Sequence, residues 1–408
     1  MSASRPFPRV LLLSSEAPHS GAAGAIVLQR LLRDFPVDRL LVVTSHLPPD
    51  GALRLDCRYE HLPLAADRLN NTRFWPWRPG LRSLGASALV GLGRVDRLLE
   101  GFAPEVVVTL MQDSWFYDLA AHYAGARQLP LVLLAHDVAH GFEPVPEWLQ
   151  QRQLQRDAAV YRQAKARLCI SPGMSKYHEE IFSVAGEVLL PPRSDDAVSQ
   201  APEACRNLKQ PGRLTLGYAG GLHYGYGEQL LRLLPVLRET GTRVELYSPR
   251  PAGILSPLTE ATDVLHFNGY AATPEEAWRG LLRTCDAVIQ PYLDPPGPHA
   301  LQYRTHFPSK LGDCLALGLP LLITGPADAS GVDWCRQRPE IALWAGDQGG
   351  TPLRDALYRL RTDDGLRVTL AANAQAASVE FSPAVLRRQF MDALMRSMPE
   401  QVNGGGRA

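Results

Sequence analysis

Lysine is nearly absent from this chain: Lys165, Lys176, Lys209 and Lys310 stand alone among 42 basic residues, the rest being arginine. The basic residues form no block and are balanced by 42 acidic ones, so nucleic acid is not expected as a partner. The six cysteines, Cys57, Cys169, Cys205, Cys285, Cys314 and Cys335, are scattered and form no CxxC. That argues against a zinc ribbon or a disulfide framework and for reduced, structural thiols in a cytoplasmic protein. No apolar run reaches the about 18 residues that would span a bilayer. The apolar stretch in MSASRPFPRVLLLSSEAP is too short for a signal-sequence core and reads as a first buried strand.

What is present is an α/β pattern, long enough at 408 residues for two domains with a cleft between them. Short apolar runs separated by helical patterns occur in both halves, as parallel sheets require. In the first half they are Val10–Ser14, Leu40–Thr44, Val106–Leu110, Leu131–Leu134 and Ala166–Ile170. In the second they are Leu214–Tyr218, Arg243–Tyr247, Val264–Phe267, Ala287–Gln290 and Leu319–Thr324. The expected organisation is two doubly wound, Rossmann-like domains, 1–196 and 213–382, joined by a polar, aperiodic linker, 197–212. A helix and a disordered tail follow in 383–408, the helix expected to pack back on the N-terminal domain. Between Asn71 and Leu99, Phe74, Trp75 and Trp77 lie among Arg73, Arg78 and Arg82. Such a segment suits either the headgroup region of a bilayer or a loop capping the core.

Open parallel sheets bind ligands beyond the carboxyl ends of their strands, so the strand exits carry the candidates. After the first strand, Gly21 and Gly24 open a helix and suit an acceptor or a phosphate. The second strand ends in Thr44, Ser45 and His46, with no acid for an adenosine ribose, which disfavours a nicotinamide dehydrogenase. Gln112 and Asp113 stand at another exit. His136, Asp137 and His140 follow a buried strand; they lack a further ligand to complete a metal set and suit sugar hydroxyls or proton transfer, or Asp137 caps a helix. Gly220, Gly221, Gly225 and Gly227 form a glycine-rich turn able to bring backbone N–H groups to phosphates. A loop with Asp294, His299, Tyr303, Arg304 and His306 leads into FPSKLGDCLALGLPLLITGP, Phe307 to Pro326. There Pro308 and Ser309 suit a helix start, placing Lys310 and Asp313 on one face. A cation at a helix start suits a diphosphate and an acid one turn on suits a sugar diol. On an exposed face the same pair would be a routine ion pair of about 0.2–0.5 kcal/mol. Gly312 inside the helix costs about 1 kcal/mol against alanine, which close approach of a ligand would explain.

In order, LLAHD, CISPGMSKY before LLPPRSDD, LGYAGGL, VLHFNGY with DAVIQPY, and PSKLGDCLALGLP make the chain resemble a GT-B glycosyltransferase of the broad family-4 group (glycosyltransferase group 1). The resemblance implies two Rossmann-like domains facing a cleft, the acceptor on the N-terminal one and a nucleoside diphosphate sugar on the C-terminal one. Donor-binding positions are then Gly220, Gly221, Arg304, Lys310, Leu311 and Asp313; Gly21, Gly24, Gln112 and Asp113 face the acceptor or a phosphate. Asp313 matches a glutamate that holds the ribose diol. The companion glutamate is replaced by Thr305, and the basic pair of the glycine turn by Gly221 and Tyr226. The family retains anomeric configuration. A xanthan-type glucuronosyltransferase, similar in its lysine-bearing helix, inverts and uses an aspartate near the position of Asp137. Asp137 or His136 is therefore the expected catalytic residue, without metal or cofactor. The expected activity is transfer to a glycan, lipid-linked or small-molecule acceptor in bacterial polysaccharide or glycoconjugate synthesis, at the inner face of the membrane or free in the cytoplasm. A nucleotide-sugar epimerase and a non-catalytic partner subunit are the competing readings.

Overall fold

The apolar runs become strands of two parallel sheets. The computed structural model describes residues 7–21, 23–63, 72–73, 91–112, 114–138, 147–223, 225–271, 273–292, 300–346 and 350–399. The chain divides into unit 1, residues 1–190 with 386–408, and unit 2, residues 191–385.

Unit 1 holds β1 (Val10–Leu13), β2 (Leu40–Thr44), β3 (Arg58–His61), β4 (Val106–Leu110), β5 (Leu131–Ala135), β6 (Ala166–Cys169) and β7 (Glu187–Val188). Their order is β3-β2-β1-β4-β5-β6-β7, every pair parallel. Helices α1 (Ala23–Leu32), α2 (Leu92–Leu99), α3 (Ser114–Arg127), α4 (Glu147–Gln163) and α5 (Pro172–Phe182) connect them. Every residue of β1, β2, β4 and β5 is buried, as both-face coverage by helices demands. At α5, Ser171 accepts the Met174 N–H at 2.9 Å and Pro172 supplies the first helical φ, so the start of the helix is fixed locally.

Unit 2 holds β8 (Thr215–Ala219), β9 (Arg243–Tyr247), β10 (Leu265–Phe267), β11 (Ala287–Pro291), β12 (Leu321–Thr324) and β13 (Ala342–Trp344) in the order β10-β9-β8-β11-β12-β13, again all parallel. Its helices are α6 (Tyr226–Glu239), α7 (Pro257–Glu260), α8 (Pro274–Thr284), α9 (Ala300–Thr305), α10 (Leu311–Ala316), α11 (Ser330–Arg336), α12 (Gly350–Thr362) and α13 (Asp364–Ala377); α14 (Pro383–Ser397) follows. Strand order reverses between β1 and β4 in unit 1 and between β8 and β11 in unit 2, and these switch points are where a doubly wound sheet accepts ligands. Mid-strand Gly217 lets α8 lie close on β8: a Cβ there would meet Leu281 Cδ2 at 2.7 Å.

Two expectations change, and the expected return of the last helix to the N-terminal domain holds. The segment 197–212 is an integral part of unit 2, which begins at Pro191, rather than a tether. Its backbone is satisfied by that unit: Gln200 N–H donates to the Leu317 carbonyl at 2.9 Å, Lys209 N–H to Asp286 Oδ1 at 2.6 Å, and Arg367 Nε to the Cys205 carbonyl at 2.8 Å. Gly318, with φ +72°, is required where this segment passes, because a Cβ would stand 2.3 Å from the Gln200 carbonyl oxygen. The helix expected from Pro308 begins only at Leu311, leaving Lys310 as its N-cap residue. From Leu386 onward α14 belongs to unit 1, where Arg387 Nε donates to the Arg30 carbonyl and Gln389 Nε2 to the Val188 carbonyl, both at 2.7 Å.

Candidate functional site

The switch point of unit 2 gathers a cation among aromatic rings. β8 runs out through Tyr218 and Ala219 into Gly220, whose φ of +135° turns the chain. Lys310 comes to this exit from the loop before α10 and donates from Nζ to Tyr218 Oη at 2.6 Å. The ammonium stands 4.0 Å from the Tyr218 ring centroid and 4.5 Å from that of Tyr226. No described carboxylate pairs with it. Burial lowers the lysine from 10.5 to about 7, offset slightly by Cys314. Burial and the neighbouring lysine lower His306 to about 4, so its ring is neutral near pH 7 and meets Tyr226 Oη at 3.1 Å. His223 is lowered too, by burial first and by Lys310 second. An ammonium held against π faces with no acid beside it among the described residues is arranged to meet an anion.

The other donor-site candidates do not converge on it as expected. A Cβ on Gly220 would lie 2.8 Å from Lys310 Nζ, and its N–H donates to the Tyr247 carbonyl at 3.0 Å. Gly220 therefore makes room for the lysine and has no amide to spare for a phosphate. The space over Gly221 is filled by the His223 ring, at 2.2 Å from a built Cβ. Leu311 is a core residue. Arg304 is exposed and reaches Asp328 at 3.0 Å. Asp313 is 4 % exposed and accepts the Ser194 N–H at 2.7 Å, while Ser194 Oγ donates to Glu275 Oε1 at 2.9 Å. One oxygen of this carboxylate is thus already engaged within unit 2. Gly312 packs on Phe381, whose Cβ would be 2.7 Å from an added Cβ, so close packing rather than a ligand accounts for it.

In unit 1 the glycine loop is likewise filled from within. The Gly21 N–H donates to His19 Nδ1 at 2.8 Å and the His19 ring covers the residue. Over Gly24 lies the Glu16 carboxylate, 2.4 Å from a built Cβ. Burial raises Glu16 above the ordinary carboxylate range, opposed by the Ala25 N–H and by His46. A carboxylate already at the start of α1 takes the place the phosphate reading gave to an anion. Gln112, at the β4 exit, is half-buried, and its Oε1 has no hydrogen-bond partner among the described residues. His136 is buried and Asp137 half-buried immediately beyond β5. Asp113, His140, Asp294, His299, Phe74, Trp75, Trp77, Arg78 and Arg82 lie outside the described residues, as does the side chain of Tyr303. Among the described residues no three His, Cys, Asp or Glu side chains are grouped to hold a metal, and no helix is long and apolar enough to cross a membrane.

Sequence reasoning missed Tyr218, Glu16, Ser194 and Glu275. Only Tyr218 left a signal: an aromatic with a polar tip, one residue from the exit of a buried strand.

No family model and no curated protein matches the chain. Solved structures do. HepE of Anabaena, in complex with UDP and glucose, superposes with a TM-score of 0.66 at 15% identity, covering 95% of this chain and 99% of that one. Sucrose-phosphate synthase of Thermosynechococcus elongatus gives 0.67 at 14% identity over 95% and 98%. The chain has the GT-B fold. WaaG, a glycosyltransferase of lipopolysaccharide biosynthesis, gives 0.57 at 14% identity over 94% and 98%. In this GT-B chain the lysine among tyrosines lies in the C-terminal Rossmann-like unit and the His136–Asp137 exit in the N-terminal one.

Proposed function

We propose that this protein is a glycosyltransferase that takes its sugar from a nucleoside diphosphate donor, with the diphosphate held in unit 2 by Lys310. The observation that carries the reading is the ammonium at the β8 exit with no acidic partner among the described residues. Transfer breaks the bond between the anomeric carbon and the diphosphate oxygen and joins that carbon to an acceptor hydroxyl oxygen, which gives up its proton. Negative charge grows on the departing diphosphate. An ammonium about 4 Å away at an effective dielectric of about 20 is worth about 4 kcal/mol to that charge, which supports a metal-independent reaction.

HepE is solved with UDP and with UDP-glucose, which makes a UDP-sugar the first donor to try. The acceptor is a glycan, a lipid-linked glycan or a small molecule of polysaccharide or glycoconjugate synthesis. The enzyme works in the cytoplasm, with unit 1 touching the inner membrane face where the acceptor is lipid-linked. We favour retention, with Asp137 or His136 supporting the donor sugar; in an inverting reaction the same two residues are the base candidates. The hydrogen bond that engages Asp313 with Ser194 is what favours the competing reading, a non-catalytic partner subunit.

The test is thermal unfolding of the wild type and Lys310→Met with UDP, GDP, dTDP, CDP and NAD. A ligand at a hundred times its Kd adds about 2.7 kcal/mol, on the order of 5–10 °C for a unit of this size. Stabilisation of the wild type by one diphosphate, lost in Lys310→Met, is expected. No shift with any diphosphate selects the non-catalytic reading, and a shift with NAD alone overturns the donor class.

A further inference from the structure

Among the described residues, five titratable groups surround the Lys310 ammonium: Tyr218 from β8, His223 from the following turn, Tyr226 from α6, His306 from the loop after α9, and Cys314 from α10. None of them carries a negative charge near neutral pH. Burial keeps Tyr218 and Cys314 protonated and both histidines are held toward the neutral form. A lysine stem has rotamer entropy to lose and a strongly hydrated head, so something must hold it inside. The direct hydrogen bond it makes is to Tyr218.

The Tyr218 hydroxyl acts in two directions. It accepts from Lys310 Nζ at 2.6 Å and donates to the Gly221 carbonyl at 2.5 Å. The tyrosine is 2 % exposed and fixed in the central strand of its sheet. One rigid hydroxyl thus fastens the lysine to the glycine turn, although the two come from distant parts of the sequence. Its chemistry also matters. A carboxylate in the same place would hold the ammonium more strongly but would neutralise it and repel a phosphate. A phenol holds the ammonium by one of its three N–H groups and leaves the charge and the remaining donors available.

We propose that Tyr218, itself anchored on the Gly221 carbonyl, is the positioning residue of this site, holding the Lys310 ammonium in register for an incoming diphosphate. This rests on the reading of the site as a nucleoside diphosphate site. Removing the hydroxyl removes a bond made to the charged form of the lysine. The amine then loses its proton more readily, and the loss of affinity grows with pH instead of being uniform.

The experiment is calorimetric titration of wild type, Tyr218→Phe and Lys310→Met with UDP, GDP, dTDP and CDP at pH 6, 7 and 8. Variant-to-wild-type ratios are compared at each pH, so that the titration of the nucleotide itself cancels. Tyr218→Phe is expected to bind within about twofold of wild type at pH 6 and about tenfold more weakly at pH 8, as a lysine displaced by about one unit requires. Thermal unfolding of Tyr218→Phe checks its fold. A second arm needs no folded variant. With ε-¹³C-lysine, the wild type gives only four lysine signals to follow, and that of Lys310 is expected to titrate near 7. Unchanged binding by Tyr218→Phe, or a loss equal at every pH, overturns the role of Tyr218 alone, provided Lys310→Met has lost binding. A Lys310 signal that titrates at its ordinary 10.5 overturns it as well. If wild type and Lys310→Met bind every diphosphate alike, or not at all, the diphosphate reading falls and this proposal with it.

Discussion

At the scale of single residues, Lys310 is held at a cost to the fold. Burial places it at about 7 instead of 10.5. Between those values the unfolded chain keeps a proton that the folded chain has released, so stability rises with pH from about 7 to about 10.5. Below that window both states are protonated and the full burial cost remains. Replacing Lys310 by methionine, similar in volume and apolar, removes the cost. We expect Lys310→Met to be more stable than wild type by about 1–2 kcal/mol at pH 6 to 7, and to lose the rise in stability above pH 7. Urea unfolding across pH measures both. A destabilised variant would mean that the lysine supports the fold and is not reserved for a ligand. The sequence made this lysine conspicuous by scarcity but did not show where it points. Read as the face of a helix, Lys310 and Asp313 lie together; with the helix beginning at Leu311, one turns to Tyr218 and the other is bonded to Ser194.

At the scale of elements, legibility followed burial. Strands buried on both faces, such as β1, β4 and β12, read directly as apolar runs. The polar edge strand β3, Arg58–His61, and the two-residue β7 carried no such run, because an edge strand needs no continuous apolar face. The segment 197–212 misled for a related reason: its polar backbone is satisfied by partners far along the chain, Asp286 and Arg367 among them, which no local pattern reveals. Helix α10 shows the same dependence. Its Gly312 faces Phe381, which stacks on Phe307 at 5.9 Å and meets Trp334 at 5.3 Å between ring centroids. The nearest atom is the Phe381 Cβ, which cannot move without its backbone. Gly312→Ala gains about 1 kcal/mol in helix propensity and loses about 1–3 kcal/mol to overpacking, and the rigid neighbour puts the loss at the upper end. A net destabilisation of about 1–2 kcal/mol follows, seen as a melting point lower by about 2–4 °C per kcal/mol. Equal or greater stability in Gly312→Ala would return the glycine to a ligand role.

At the scale of the whole molecule, the two units carry separable parts of the proposed reaction. In the proposed function, diphosphate recognition is assigned to Lys310 in unit 2, and the residues assigned to the reacting sugar, His136 and Asp137, follow β5 of unit 1. If the division holds, the units respond differently to substitution. Lys310→Met is expected to remove both nucleotide stabilisation and turnover, because the departing diphosphate and the bound one use the same ammonium. Asp137→Asn keeps the size of the side chain and removes its charge. It is expected to leave stabilisation by the nucleoside diphosphate within about 1 °C of wild type, since that ligand lacks the sugar. Turnover is expected to fall by about 10²-fold or more, the range of a displaced general base or of lost electrostatic support at a reacting centre. Steady-state rates with the donor found by thermal unfolding, measured beside the melting points, give both readouts. A fall within about threefold corresponds to less than about 1 kcal/mol of barrier and removes Asp137 from the chemistry, leaving His136 as the candidate from unit 1. A fall in turnover accompanied by lost nucleotide stabilisation would instead place Asp137 in the fold of its unit or in donor binding, and the separation of roles between the two units would fail.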